Sequence, residues 1–120
     1  MKRSTPLVQV LLSTWNGEQW LPDLLESLAR QTYKNWQLLI RDDGSQDKTL
    51  KILLEWQAKH PDSVSDLIMA NQCVGSKASF SHLVKKSQSP YLMFCDQDDV
   101  WFPEKIEMQC EALYALEVKA

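Results

Sequence analysis

The sequence predicts an α/β domain built on a parallel sheet with helices on both faces. Three observations carry that expectation. Apolar runs of strand length recur roughly every 30 residues, each followed by a segment with helical spacing, the alternation that βαβ units produce. The runs are near-continuously apolar, as suits strands covered on both faces. Polar and acidic clusters follow directly on the runs. In one parallel sheet all of these clusters share the edge where open α/β sheets bind ligands.

The first strand is read at residues 7–13, and Ser13-Thr14-Trp15-Asn16-Gly17-Glu18 follows it. Those polar groups and the glycine suit a ligand crevice, with Trp15 offering a flat face to a nucleobase or sugar. The competing reading is a strand-to-helix turn with Asn16 as cap and Trp15 in the core. Leu21, Leu24, Leu25 and Leu28 then share a helical face, with Pro22 in a first turn.

Residues 37–41 form the second strand, led by Trp36, and run into Arg41-Asp42-Asp43-Gly44-Ser45-Gln46-Asp47. A carboxylate at this point can accept the imide N–H of uracil or thymine. Turn chemistry accounts for Gly44, for Ser45 as a helix N-cap and for Asp47 in a first turn. It does not account for two adjacent acids at a strand end. The next helix shows Leu50, Leu53 and Leu54 on one face and stops at His60-Pro61.

A weaker third strand is read at residues 65–70. Asn71-Gln72-Cys73-Val74-Gly75-Ser76-Lys77 follows, with Lys77 either a diphosphate ligand or a solvated lysine. Phe80, Leu83 and Val84 mark a third helical face. The fourth strand, residues 91–95, reads as buried, and Ile106, Cys110 and Leu113 mark a last helix opened by Pro103 and Glu104. Trp20, Trp36 and Trp56 read as packing residues, and His60 and His82 as surface residues.

Asp96-Gln97-Asp98-Asp99 is the most informative segment, with three carboxylates in four residues. Carboxylates this close raise one another's pKa. A divalent cation removes that cost, and hard cations prefer oxygen ligands. The cluster therefore points to a Mg²⁺ or Mn²⁺ site able to hold nucleotide phosphates; the alternative is a solvated acidic loop that opens a helix.

The 120 residues, 44% of them hydrophobic, suit a single domain over 1–120. A net charge of −3 leaves no nucleic-acid footprint. No apolar stretch approaches the ~20 residues of a bilayer span, and the basic start Met1-Lys2-Arg3 leads into a run too short for a signal peptide. A cytoplasmic protein is expected. Cys73, Cys95 and Cys110 show no paired spacing and read as reduced, mostly buried thiols.

Taken in order, Ser13-Thr14-Trp15-Asn16-Gly17-Glu18, Gln31-Thr32-Tyr33-Lys34-Asn35-Trp36, Asp42-Asp43-Gly44-Ser45-Gln46-Asp47 and Asp96-Gln97-Asp98-Asp99-Val100-Trp101-Phe102-Pro103-Glu104-Lys105-Ile106 resemble the ordered motifs of the family 2 glycosyltransferases. The resemblance spans about residues 6–115, and the Asp-Gln-Asp-Asp-x-Trp variant is most similar to rhamnosyltransferases of surface polysaccharide synthesis. It implies a partial GT-A fold with sheet order 3-2-1-4, a UDP- or dTDP-sugar donor, a glycan or lipid-linked glycan acceptor, inversion at the sugar carbon, and Mg²⁺ or Mn²⁺. It implies that Trp15 stacks on the base and that Ser13 and Glu18 line the nucleotide. Asp43 binds the base imide, Asp96 approaches ribose or metal, and Asp98 coordinates the metal.

Lys77 matches only loosely. No catalytic base is evident, so the expectation is a donor-binding half without transfer activity of its own. It is expected to self-associate through its fourth strand or last helix, and to lie at the inner face of a membrane in the full enzyme.

Three rivals remain at this point. A sugar-nucleotide pyrophosphorylase would open with a glycine-rich loop and a basic residue, which residues 13–18 lack. A receiver domain would carry an aspartate after strand three, where Ala70-Asn71 stand. A non-catalytic nucleotide-binding or assembly domain is the third.

Overall fold

In the computed structural model, residues 5–119 are described, with side chains to residue 116; the basic start at Met1–Arg3 lies outside them. Four parallel strands, β1 (Val8–Thr14), β2 (Trp36–Asp42), β3 (Val64–Met69) and β4 (Tyr91–Asp96), form one sheet in the order β3-β2-β1-β4. Helices α1 (Leu21–Ala29), α2 (Thr49–Lys59), α3 (Ser76–Lys86) and α4 (Lys105–Lys119) alternate with them. The expected fold class and strand order both hold.

Side chains alternate across a strand, so β1 divides its residues between two cores. Val8, Val10 and Leu12 join Leu38 and Ile40 of β2, and the α1 leucines, Leu53, Trp101 and Ile106 cover that face. Leu11 and Leu39 face the other way, onto Leu83 of α3. The two central strands are thus buried on both faces, which is why their runs are near-continuously apolar.

The edge strands differ. Of β4 only Cys95 is buried, and Phe94 is 58% exposed, so the reading of that run as a buried strand is corrected. Among the described residues β4 ends the sheet on one side and β3 on the other. The β2–β3 register slips between Leu38 and Leu39. Ser65, the extra residue, donates its hydroxyl to the Leu38 carbonyl.

Several helix expectations need correction. Leu54, Val84 and Leu113 are exposed; Leu54 and Val84 each stand one residue past the fully buried Leu53 and Leu83, about 100° around the helix and off its buried face. Ser45 does not cap α2. The helix starts at Thr49, and the carboxylate of Asp47 accepts the Thr49 amide at 2.9 Å. His60 ends α2 as expected and lies against the Trp56 ring, half-buried.

Candidate nucleotide-binding site

The parallel register sets the C-terminal ends of three strands level. Ser13 of β1 pairs with Arg41 on one side and Asp96 on the other. The loops that leave these ends surround a cavity of about 540 Å³, within the size range of small-molecule sites. Trp15, Trp20, Asp43, Ser76, Asp96 and Asp98 are among its lining residues.

The two loops after β1 and β2 are fastened to each other. The Asn16 amide donates to the Ser45 hydroxyl at 2.9 Å, the Gly17 amide to Thr49 Oγ1 at 2.8 Å and the Glu18 amide to Asp47 at 3.2 Å. In return Asn16 Oδ1 accepts the Gln46 amide at 2.9 Å. Asn16 holds a φ of 45° to do this, a left-handed conformation that asparagine tolerates. Gly44 turns the second loop at φ 85° with the Gln72 backbone close by, a position that suits only glycine.

The adjacent acids have separate tasks. Asp42 is fully buried and accepts from the Thr14 hydroxyl at 2.7 Å, the Ser45 hydroxyl at 2.6 Å and the Ser45 amide at 2.8 Å. It builds the turn. Asp43 is 2% exposed but its carboxylate borders the cavity. It accepts from Arg41 at 2.6 Å, from the Val74 and Gly75 amides at 3.0 and 2.9 Å, and from the Cys73 thiol at 3.1 Å. Burial pushes the Asp43 pKa up, but these hydrogen bonds outweigh burial and hold it below the ordinary carboxylate value. Asp43 is therefore an anion at any physiological pH.

The loop after β4 is built differently. Asp99 folds back, its carboxylate accepting the Asp96 amide at 3.1 Å while its own amide donates to the Asp96 carbonyl at 3.0 Å. That turn leaves Asp96 and Asp98 exposed on the cavity wall. Burial, and then the charges of Asp99 and Asp98, raise the Asp96 pKa.

Among the described residues no group of three or more His, Cys, Asp or Glu side chains forms a ready-made metal cage. The pair that faces the cavity nonetheless suits a small hard cation, which takes one or two carboxylates and completes its shell with water and phosphate. The mutual repulsion around Asp96 is the cost such a cation would remove.

Gln97, between the acids, bridges to the first loop. Its side-chain carbonyl accepts the Trp15 amide at 2.9 Å and its amide donates to the Trp15 carbonyl at 3.0 Å. A Cβ on Gly17 would stand 2.3 Å from Gln97 Oε1. The Gly17 of one motif thus makes room for the Gln97 of another.

The Gln31-Thr32-Tyr33 stretch anchors the other flank. Gln31 is fully buried, donating to the Phe102 carbonyl at 2.8 Å and accepting the Ile106 amide at 3.1 Å. The Trp101 amide donates to the Ser27 hydroxyl at 3.0 Å. Ser27 of α1 and Gln31 just past its end therefore hold the segment that follows the acidic loop and the start of α4.

Of the residues expected to form a site, Ser13, Trp15, Asp43, Asp96 and Asp98 line one cavity. Glu18 and Lys77 are exposed and outside the lining. Trp15 is 50% exposed, which decides against a core role. Trp20 was expected to pack; it is 42% exposed and lines the cavity, because it precedes α1 by one residue, off the helix's buried face. Cys73 is exposed rather than buried, Cys95 is buried, and all three cysteines are free.

A family model described as Glycosyl transferase family 2 matches residues 9–119. The dTDP-rhamnosyl transferase RfbG of Shigella flexneri is 33% identical over 105 residues, 85% of this chain and 36% of RfbG. Among solved structures, S. aureus TarS 1–349 in complex with UDP superposes with a TM-score of 0.78 at 23% identity, covering 88% of this chain and 31% of that one. The mannosyltransferase PcManGT from Pyrobaculum calidifontis, in complex with GDP-Man and Mn²⁺, superposes with a TM-score of 0.75 at 21% identity, covering 82% and 29%. These two likenesses show the GT-A fold. The chain spans 36–39% of the length of the first curated relatives it matches. With three of its ordered motifs gathered at one sheet edge, the fourth bracing the acidic loop from behind, and the family model spanning nearly its whole length, the chain belongs to glycosyl transferase family 2.

Proposed function

We propose that this single domain is the donor-binding part of an inverting, metal-dependent glycosyltransferase. It takes a UDP- or dTDP-sugar and serves transfer to a glycan or lipid-linked glycan acceptor in cell-surface polysaccharide synthesis, of O-antigen or capsule. The observation that carries this reading is one cavity with a buried, hydrogen-bonded carboxylate, Asp43, after β2 and two exposed carboxylates, Asp96 and Asp98, after β4.

Asp43 accepts the imide N–H of the base. Trp15 stacks on the base with its exposed face, and the Ser13 hydroxyl contacts the nucleotide; Glu18 stays in the assignment only through a rearrangement of its side chain toward the cavity. Asp96 binds the ribose or the metal, and Asp98 holds the metal. Bound there, Mg²⁺ or Mn²⁺ supplies Lewis-acid stabilisation of the departing diphosphate. Deprotonation of the acceptor hydroxyl requires a base, and none of the cavity carboxylates is assigned that role.

No helix among the described residues is long and apolar enough to cross a membrane. The compartment proposed is the cytoplasm, peripheral to the inner face of the membrane. A homo-oligomer is proposed from the exposed β4 edge and Phe94, and light scattering over a concentration series tests it; a monomer throughout contradicts it.

Thermal shift with UDP, dTDP and GDP, each with and without Mn²⁺, tests the function. Stabilisation by UDP or dTDP that grows with Mn²⁺ is expected. No shift with any of the three nucleotides contradicts the reading.

A further inference from the structure

We propose that Arg41 is a positioning residue that sets Asp43 for reading the base. The inference rests on the proposed nucleotide-binding function. Arg41 is 7% exposed and is not itself part of the cavity lining, though its partner Asp43 is. One guanidinium nitrogen donates to Asp43 Oδ1 at 2.6 Å and to the Ser79 hydroxyl at 3.0 Å. Ser79, fully buried on α3, is also bonded to the Ser13 hydroxyl at 2.7 Å. The Asp43 carboxylate is thereby tied to β1, β2 and α3, all rigid elements.

A carboxylate offers about four acceptor sites. Those of Asp43 are taken by Arg41, the Val74 amide, the Gly75 amide and the Cys73 thiol. The thiol is the weakest of these donors, and Cys73 is exposed at the cavity. An imide N–H arriving from the cavity replaces the thiol, while the stronger donors stay. Three of the four donors belong to residues 73–75, the loop that leads into α3, with Gly75 as the helix N-cap. Among the four, only Arg41 stands on a strand of the sheet, so it fixes the direction of the lone pair that the thiol gives up.

A purely architectural role does not require the cation. Asp42, next along the strand, builds its turn with hydroxyl and amide donors only. The buried charge stands under the acid that faces the ligand and not under the acid that makes the turn.

The test compares UDP with its N3-methyl derivative, which lacks the imide proton, by calorimetry in Mn²⁺. Wild type, Arg41→Lys and Arg41→Met chains are titrated, with circular dichroism confirming the fold. Wild type is expected to prefer UDP by about tenfold or more, the scale of one hydrogen bond to a charged group. Arg41→Lys, which keeps a cationic donor, is expected to retain most of that preference, and folded Arg41→Met to lose it.

No preference in wild type overturns the base-reading function and this inference with it. A preference in wild type that persists undiminished in folded Arg41→Met overturns this inference alone. If Arg41→Met does not fold, Ser79→Ala decides: it releases the far anchor of Arg41 without stranding a charge. A reduced preference supports the inference, and an unchanged one overturns it.

Discussion

The two acidic ends of the cavity are built on opposite principles. At the β2 end, Asp43 is buried, paired with Arg41 and bonded to two backbone amides, and its pKa lies below the ordinary value. At the β4 end, Asp96 and Asp98 are exposed, and burial with neighbouring charge raises the pKa of Asp96. A carboxylate whose donors are already in place is preorganised for a fixed hydrogen bond. An exposed pair with little to hold it in place is open to a cation, which takes one or two carboxylates and completes its shell with water and phosphate. In the proposed reading the same residue type serves recognition in one place and charge capture in the other, and the surroundings decide which.

The largest expected effect breaks the first end. Asp43→Asn leaves Arg41 buried without its counter-ion, which costs about 3–5 kcal/mol of stability. Urea denaturation measures it, and a loss comparable to that of an exposed substitution would sever Asp43 from the fold. Acid acts on the same pair. Because the Asp43 pKa is depressed in the folded chain, its contribution is complete above the unfolded value, 3.8, and is lost as pH falls through and below it. Wild type should lose stability in that window, and Asp43→Asn should lose less.

A smaller effect sharpens the second end. Gln31→Ala removes the partners of the Ile106 amide and the Phe102 carbonyl, at about 1–3 kcal/mol for the buried group left unsatisfied. It should also weaken Mn²⁺ binding, since Gln31 steadies the segment that follows the acidic loop; calorimetry with Mn²⁺ checks this. The smallest effect on stability belongs to Asp98→Ala. The side chain is exposed, and the hydrogen bonds that close the acidic turn belong to Asp96 and Asp99, so the denaturation midpoint without metal should stay that of wild type.

The legibility of the sequence follows the same division. Residues whose periodicity reports burial, such as Leu21, Leu24, Leu25 and Leu28, were readable because a helix face repeats with a fixed spacing. That Asp43, Asp96 and Asp98 would share one cavity was readable because acids at strand ends have no packing explanation and parallel strands bring their ends together. The long-range partners were not. Nothing local says that Gln97 grips the Trp15 backbone, that Gly17 is small to admit it, or that Gln31 fastens the start of α4. Each side chain meets a partner more than 70 residues away in the chain. Trp20 misled for a related reason: its type suggests packing, but its place just before α1 turns it toward the cavity.

The central claim is that the β4 carboxylates hold a cation that acts on the diphosphate while the β2 end reads the base. Calorimetric titration of the chain with UDP and with uridine, each in the presence and absence of Mn²⁺, tests it most directly. The account predicts that Mn²⁺ tightens UDP about tenfold or more, a gain of about 1.4 kcal/mol, leaves uridine unchanged, and has no effect on UDP in Asp98→Ala. Equal enhancement of UDP and uridine, or UDP binding indifferent to Mn²⁺ in wild type, would contradict it.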